Sequence, residues 1–191
     1  MPAWSGSVAP IHDELAQAMT GVSWRPGCPV GLEALAVLSV PHWTPENGLS
    51  RGQLVVAAEV ADEVLSVFRE LYGARFPITR MEPVYVFDGS DDASMAADNT
   101  SAFNCRPVTG GSSYSRHSYG TAIDLNPLRN PYVRGERVLP PEGREWLERD
   151  ARPGVITADG VAVAAFARIG WKWGGAWRSS KDYQHFSTDG R

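Results

Sequence analysis

The sequence predicts an α+β fold, a small antiparallel sheet with flanking helices, in a single domain spanning residues 1–191. Three observations point there. Short strand-like runs are separated by helical stretches, with neither a βαβ period nor a glycine-rich phosphate loop. A length of 191 residues suits one ordinary core and leaves little room for a second. The composition, with 43% hydrophobic and 21% charged residues, is that of a globular chain rather than a disordered one.

Along the chain, residues 1–50 are rich in Pro, Gly and Trp and read as an N-terminal arm packed on the domain, with helical candidates at Pro10–Met19 and Gly31–Leu38. Gln53–Ala57 is strand-like. Ala58–Tyr72 carries Val60, Val64, Leu65, Phe68, Leu71 and Tyr72 at helical spacing, and Gly73 is a plausible stop. A strand is expected at Ile78–Val84, followed by a polar loop from Asp88 to Ser101 that is long enough to suggest function. Strands follow at Ala102–Arg106 and Thr121–Leu125, then helices at Pro141–Asp150 and Asp159–Ile169. Asp159 is the expected N-cap of the second helix and Gly170 its stop. Gly170–Gly174 and Tyr183–Ser187 complete the expected strands.

A net charge of −4 argues against nucleic acid as a partner, since polyanion binders need an excess of Lys and Arg. No run approaches the length of a membrane-spanning helix, so a soluble chain without membrane insertion is expected. The N-terminus lacks the basic and apolar regions of a secretory signal. The 7 Trp, 19 Gly and 14 Pro suggest many turns and a groove walled by large rings. The 2 Cys cannot close a four-thiolate zinc site, so any metal must draw on the 4 His.

Of these, His12 and His42 have no ligand-type partner at metal spacing. His117 lies in SRHSYGTAID, seven residues before Asp124, and His185 lies in KDYQHFST, three after Asp182. Either pair alone is weak. Together, two imidazoles and one carboxylate make a three-ligand set that leaves a fourth tetrahedral position of Zn²⁺ to water, the open arrangement of a catalytic site. A second carboxylate beside it has work as a proton carrier, and Arg106 can hold an anionic group.

SRHSYGTAID fits the S-x-H-x-x-G-x-A-x-D pattern, and DYQHF the D/E-x-x-H element, of the zinc D-alanyl-D-alanine carboxypeptidase and L-alanyl-D-glutamate endopeptidase family of peptidoglycan metallopeptidases. GWKWGGAW (170–177) resembles the W-G-G-x-W stretch of the endopeptidase branch, and FNCR (103–106) resembles the family's arginine-bearing strand. The resemblance spans residues 100–187 in the right order. It implies a hedgehog/D-Ala-D-Ala-metallopeptidase-like fold and one Zn²⁺ held by His117, Asp124 and His185. Asp182 would be the general acid/base, Arg106 the oxyanion or carboxylate partner, and Ser115 a supporting or substrate contact. Asp at position 182, where the dipeptidase branch has Glu, tilts the reading toward the endopeptidase. The implied partner is a peptidoglycan stem peptide bound by a monomer. The implied activity is L-Ala-D-Glu endopeptidase, with D-alanyl-D-alanine carboxypeptidase and a non-catalytic zinc-containing wall-binding module as alternatives.

Trp173 and Trp177 either wall the substrate groove or pack in the core. Cys28 and Cys105 either form a disulfide, closing a loop of 77 residues worth roughly 4 kcal/mol in the chain-entropy model, or stay as buried thiols. The implied site of action is the cell wall, outside the membrane. With no signal in the chain, a mature form or release without a leader, as by a phage endolysin, is expected.

Overall fold

Two nine-residue strands organise the first half of the chain. The computed structural model describes residues 2–108 and 111–190. Strand β1 (Ser7–Pro10) and helix α1 (Asp13–Met19) precede β2 (Leu35–Trp43) and β3 (Leu49–Ala57), and the three strands pair antiparallel in the order β1-β2-β3. All but one residue of β2 is buried, because both of its faces are covered. Ala36, Leu38 and Val40 face the main core with Leu54 and Val56 of β3. Leu35 and Val37 alternate onto a second cluster with Leu15, Met19, Phe103 and Cys105. Residues 35–43 are therefore not part of an arm, as the Pro and Trp content implied, but the central strand of a sheet. Gly31–Leu38 likewise has only a short 3-10 turn, Leu32–Ala34, before β2 begins. Pairing with strands on both sides outweighs local propensity there. Helix α1 starts at Asp13 rather than Pro10, with His12 Nδ1 accepting the Leu15 amide as N-cap.

Helix α2 (Ala61–Gly73), entered through a 3-10 turn at Ala58–Val60, buries Val64, Val67, Phe68 and Leu71 against β2. The expected stripe is present, and the helix closes at Gly73. The strand expected at 78–84 reduces to β4 (Arg80–Met81), because Pro83 supplies no ladder donor and starts a 3-10 turn at Val84–Phe87. The expected polar loop 88–101 contains helix α3 (Asp91–Ala96), capped by Ser90 Oγ accepting from the Ala93 amide, and β5 (Asn99–Thr100), which pairs parallel with β4. Residues 102–106 run extended but form no strand. The amides of Phe103, Asn104 and Cys105 donate to carbonyls of Val55, His117 and Ser23, three different segments instead of one neighbouring strand.

The second half carries the short strands β6 (Ala122–Asp124), β7 (Tyr132–Arg134) and β8 (Arg137–Leu139). The helix expected at Pro141–Asp150 is a 3-10 turn ending at Trp146. At Gly143 a Cβ would lie 2.7 Å from that of Pro131, so the segment packs too closely for a regular helix with ordinary side chains. Helix α4 (Val161–Arg168) follows, with Gly160 rather than Asp159 at its N-cap and no side-chain cap. Strands β9 (Lys172–Trp173), β10 (Lys181–Asp182) and β11 (His185–Ser187) end the described chain. The sheet orders are β6-β11-β9 and β10-β7-β8, all antiparallel. Phe166 of α4 stacks on Phe186 of β11 at 4.0 Å between ring centroids, which fastens β11 to the main core. Helices around small, mostly antiparallel sheets make this an α+β protein.

Cys28 and Cys105 form a disulfide with Cα atoms 6.0 Å apart, lodged in the second cluster. It ties the segment after α1 to the residue preceding Arg106. Because it closes a 77-residue separation, its reduction, or the double substitution Cys28→Ser/Cys105→Ser, is expected to lower stability by about 2–4 kcal/mol. The urea midpoint, measured with and without reductant, checks this; an unchanged midpoint refutes it.

Candidate active site

The site is built on the pairing of β6 with β11. Along β6, Ile123 points into the core and is fully buried, while Ala122 and Asp124 point the other way. On β11, Phe186 faces the core and His185 faces the site. The register sets Asp124 directly opposite His185, and His185 Nδ1 lies 3.0 Å from Asp124 Oδ1. His117 comes from the 3-10 turn Arg116–Tyr119, which is N-capped by Ser115, its Oγ accepting the His117 amide. That turn ends at Gly120, whose φ of +70° and position against β3 (a Cβ would lie 2.4 Å from the Ala57 nitrogen) exclude a larger residue.

His117 Nδ1 is 2.6 Å from the Ala102 carbonyl oxygen. A carbonyl only accepts, so Nδ1 carries the proton and the ring is fixed with Nε2 toward the site. Nε2 then meets Asp124 Oδ2 at 3.2 Å. Two imidazole nitrogens thus flank the two oxygens of one buried carboxylate, and one ligand atom from each of the three residues lies within 4.8 Å of the others. With Nδ1 turned to that carbonyl, His117 Nε2 is directed with His185 Nδ1 onto the Asp124 carboxylate, and these atoms together can hold a cation. The donor set of two nitrogens and one carboxylate, with a backbone carbonyl orienting one ring, fits a zinc-type ion. His12 and His42 play no part: one caps α1, and the other is buried in β2.

Two carboxylates here have opposite environments. Burial would raise the Asp124 pKa, but the charges and hydrogen bonds of His117 and His185 outweigh it and hold the group far below the ordinary carboxylate range. Asp182, at the end of β10, has a buried Oδ1 with no hydrogen-bond partner. Burial pushes its pKa up to about 7, with His185 opposing. Its carboxyl thus titrates near neutrality beside a carboxylate that stays ionised, the property that proton transfer requires.

The cavity holding these groups has a volume of about 540 Å³ and also receives Arg106, Ser115 and Trp177. Arg106 is held by Asp91 of α3 at 2.7 Å, and its Nε is buried without a partner. Asp91 belongs to no site motif in the sequence, although Ser90 followed by two aspartates is the signature of a capped helix start. Tyr132, Arg134 and Arg137 also line the cavity and carry no recognisable motif, and Gln184 lines it from one of the two unspecified positions of the DYQHF element. The two tryptophans divide. Trp177 lines the cavity, with its ring 5.8 Å from that of His185. Trp173 does not; it packs on the main core and on Tyr183, and its Nε1 donates to the Tyr183 carbonyl. The Gly-Gly pair between them is a packing device. A Cβ on Gly174 would lie 2.7 Å from the Asp182 carbonyl oxygen and 3.3 Å from the His185 Cβ, so this turn sits directly against both residues.

Residues 109–188 match the family model described as D-alanyl-D-alanine carboxypeptidase. The match takes in His117, Asp124, Asp182 and His185 and stops short of Arg106. It supports a peptidase of the peptidoglycan-related metallopeptidase kind. No solved structure matches the chain. No helix among the described residues is long and apolar enough to cross a membrane.

Two expectations follow. Gly174→Ala should cost about 1–3 kcal/mol through overpacking against backbone, seen as a lower melting temperature. For Asp182, the unfolded chain ionises near pH 3.8 while the folded chain holds its proton to about pH 7, so the group lowers stability progressively across that window and fully above it. Metal-free Asp182→Asn should therefore melt higher than the unsubstituted chain at pH 8, with the gap closing at pH 3.5. A gap independent of pH would refute the assignment.

Proposed function

We propose that the protein is a zinc-dependent peptidoglycan hydrolase that cuts the amide bond between L-Ala and D-Glu in the stem peptide, acting as a monomer at the cell wall. The observation that carries this reading is the unpartnered, buried Asp182 Oδ1 beside the His117, Asp124 and His185 cluster inside one cavity. The hedgehog/D-Ala-D-Ala-metallopeptidase-like fold belongs to the same reading.

His117 through Nε2, His185 through Nδ1 and Asp124 through its carboxylate would hold the zinc ion. When bound, zinc supplies Lewis-acid polarisation and lets water act as a nucleophile near neutral pH. Asp182 Oδ1 takes a proton from the attacking water and delivers it to the leaving amine, the task its raised pKa suits. The Arg106 guanidinium, directed by Asp91, stabilises the negative charge that develops on the carbonyl oxygen or holds a substrate carboxylate. Trp177 and Tyr132 give the peptide apolar walls.

The endopeptidase assignment is supported by the GWKWGGAW segment and by Asp rather than Glu at 182. A D,D-carboxypeptidase is the second reading, favoured by the description of the matching family model. Digestion of purified peptidoglycan followed by mass spectrometry separates them: new N-terminal D-Glu or D-isoglutamine supports the endopeptidase, and released D-Ala supports the carboxypeptidase. Asp182→Ala should keep about one zinc per chain and lose activity by about 10²–10⁴-fold. His185→Ala should lose the metal itself. A fully active Asp182→Ala enzyme would sink the proton-carrier role, and zinc binding without any cleavage would leave the non-catalytic wall-binding module in its place.

A further inference from the structure

The sheet β10-β7-β8 forms one wall of the cavity, and its register orders the side chains on that wall. Asp182 faces Tyr132, and Tyr132 faces Leu139, so these three stand in one row across the sheet and all line the cavity. Residues two apart on a strand share a face. Arg134 therefore stands on the face of Tyr132, and Arg137 on the face of Leu139; both line the cavity, whereas Val138, on the opposite face, is buried.

Arg134 and Arg137 are Cα partners flanking the two-residue turn of the β7-β8 hairpin. Like charges placed directly opposite each other cost stability. Among the described residues neither arginine has an acidic partner, whereas the other two cavity arginines, Arg106 and Arg116, are paired with Asp91 and Asp189. The wall thus carries an uncompensated double positive charge, two residue rises or ~7 Å along the strands from the Asp182 row.

We infer that Arg134 and Arg137 are specificity-determining residues that take a free carboxylate on the stem peptide, one residue beyond the scissile amide. The inference rests on the stem-peptide reading of the same cavity. A carboxylate between the two guanidinium groups would relieve their repulsion and match their planar donor forks. With the cut at L-Ala-D-Glu, the α-carboxylate of D-Glu sits at the cut itself, beside the Asp182 row. The group two rows away is then the side-chain carboxylate of the third residue, which makes the preferred substrate a stem peptide with a diamino diacid at that position and its carboxylate not amidated.

Two synthetic stem tetrapeptides that differ only in carrying the third residue's side-chain carboxylate free or as the carboxamide test this on the zinc-loaded protein. The native chain should favour the free carboxylate by about tenfold in kcat/KM, mostly through KM, the scale of a charge-assisted hydrogen bond at a partly solvated rim. The preference should weaken as salt is raised. In Arg134→Gln/Arg137→Gln it should fall to about twofold or less. Equal handling by the native chain, or a preference kept in the double variant, overturns the inference. If neither peptide is cleaved, the hydrolytic reading fails, and calorimetric binding of the same two peptides still decides the arginine pair. Tighter binding of the free carboxylate that is lost in the double variant upholds it, and equal binding refutes it.

Discussion

The antiparallel register of β6 against β11 is the constraint on which the site depends. It places Asp124 opposite His185 and, one residue along, Ile123 opposite Phe186. Strand alternation turns the first pair toward the cavity and the second into the core, so one pairing both assembles two of the candidate ligands and anchors them. A slip by one residue would turn the candidate ligands toward the apolar core and Ile123 and Phe186 toward the cavity. The stack of Phe166 on Phe186 makes that slip costly, which links the apolar core to the placement of the imidazole.

A second support lies under β10 and β11. Arg149 donates to Asn130 Oδ1 and to the carbonyls of Arg129 and Ile156, and its guanidinium lies over the Tyr183 ring at 4.4 Å. Burial lowers its pKa to about 10, yet these acceptors keep a cation where Tyr183, the neighbour of Asp182, needs a floor. Asn126, with φ of 46°, accepts from the Thr79 amide and donates to the Pro77 and Gly154 carbonyls, closing the turn after β6. The two carboxylates therefore stand on strands braced by apolar packing on one side and by a hydrogen-bonded polar network on the other.

The two acids at the centre illustrate how environment divides identical side chains into different tasks. Asp124 lies between two imidazoles and is held ionised; Asp182 has a buried oxygen without a donor and keeps its proton toward neutrality. The division suits one group to holding a cation and the other to moving a proton. Gly174 makes it possible for both Asp182 and His185 to sit against the same turn, and the disulfide between Cys28 and Cys105 fixes the chain immediately before Arg106.

By itself the sequence determined the α+β class, the α2 stripe and the candidate set His117, Asp124, Asp182 and His185, because metal and proton chemistry demand particular residue types at readable spacings. Helical periodicity is a local signal, and so are the two histidine motifs. What lay beyond it was non-local. Leu35–Trp43 looks like an arm in sequence and becomes a central strand only because α2 and α1 pack on its two faces while β1 and β3 pair along its edges. Trp173 and Trp177 stand in the same motif, and their packing alone sends one to the core and the other to the cavity. Asp91, Arg134 and Arg137 reach the cavity through a capped helix and a hairpin register, neither of which has a motif of its own. The tertiary structure decided these roles because which side chains share a cavity depends on strand register and on which faces are covered. Both are set by contacts between segments distant in the chain.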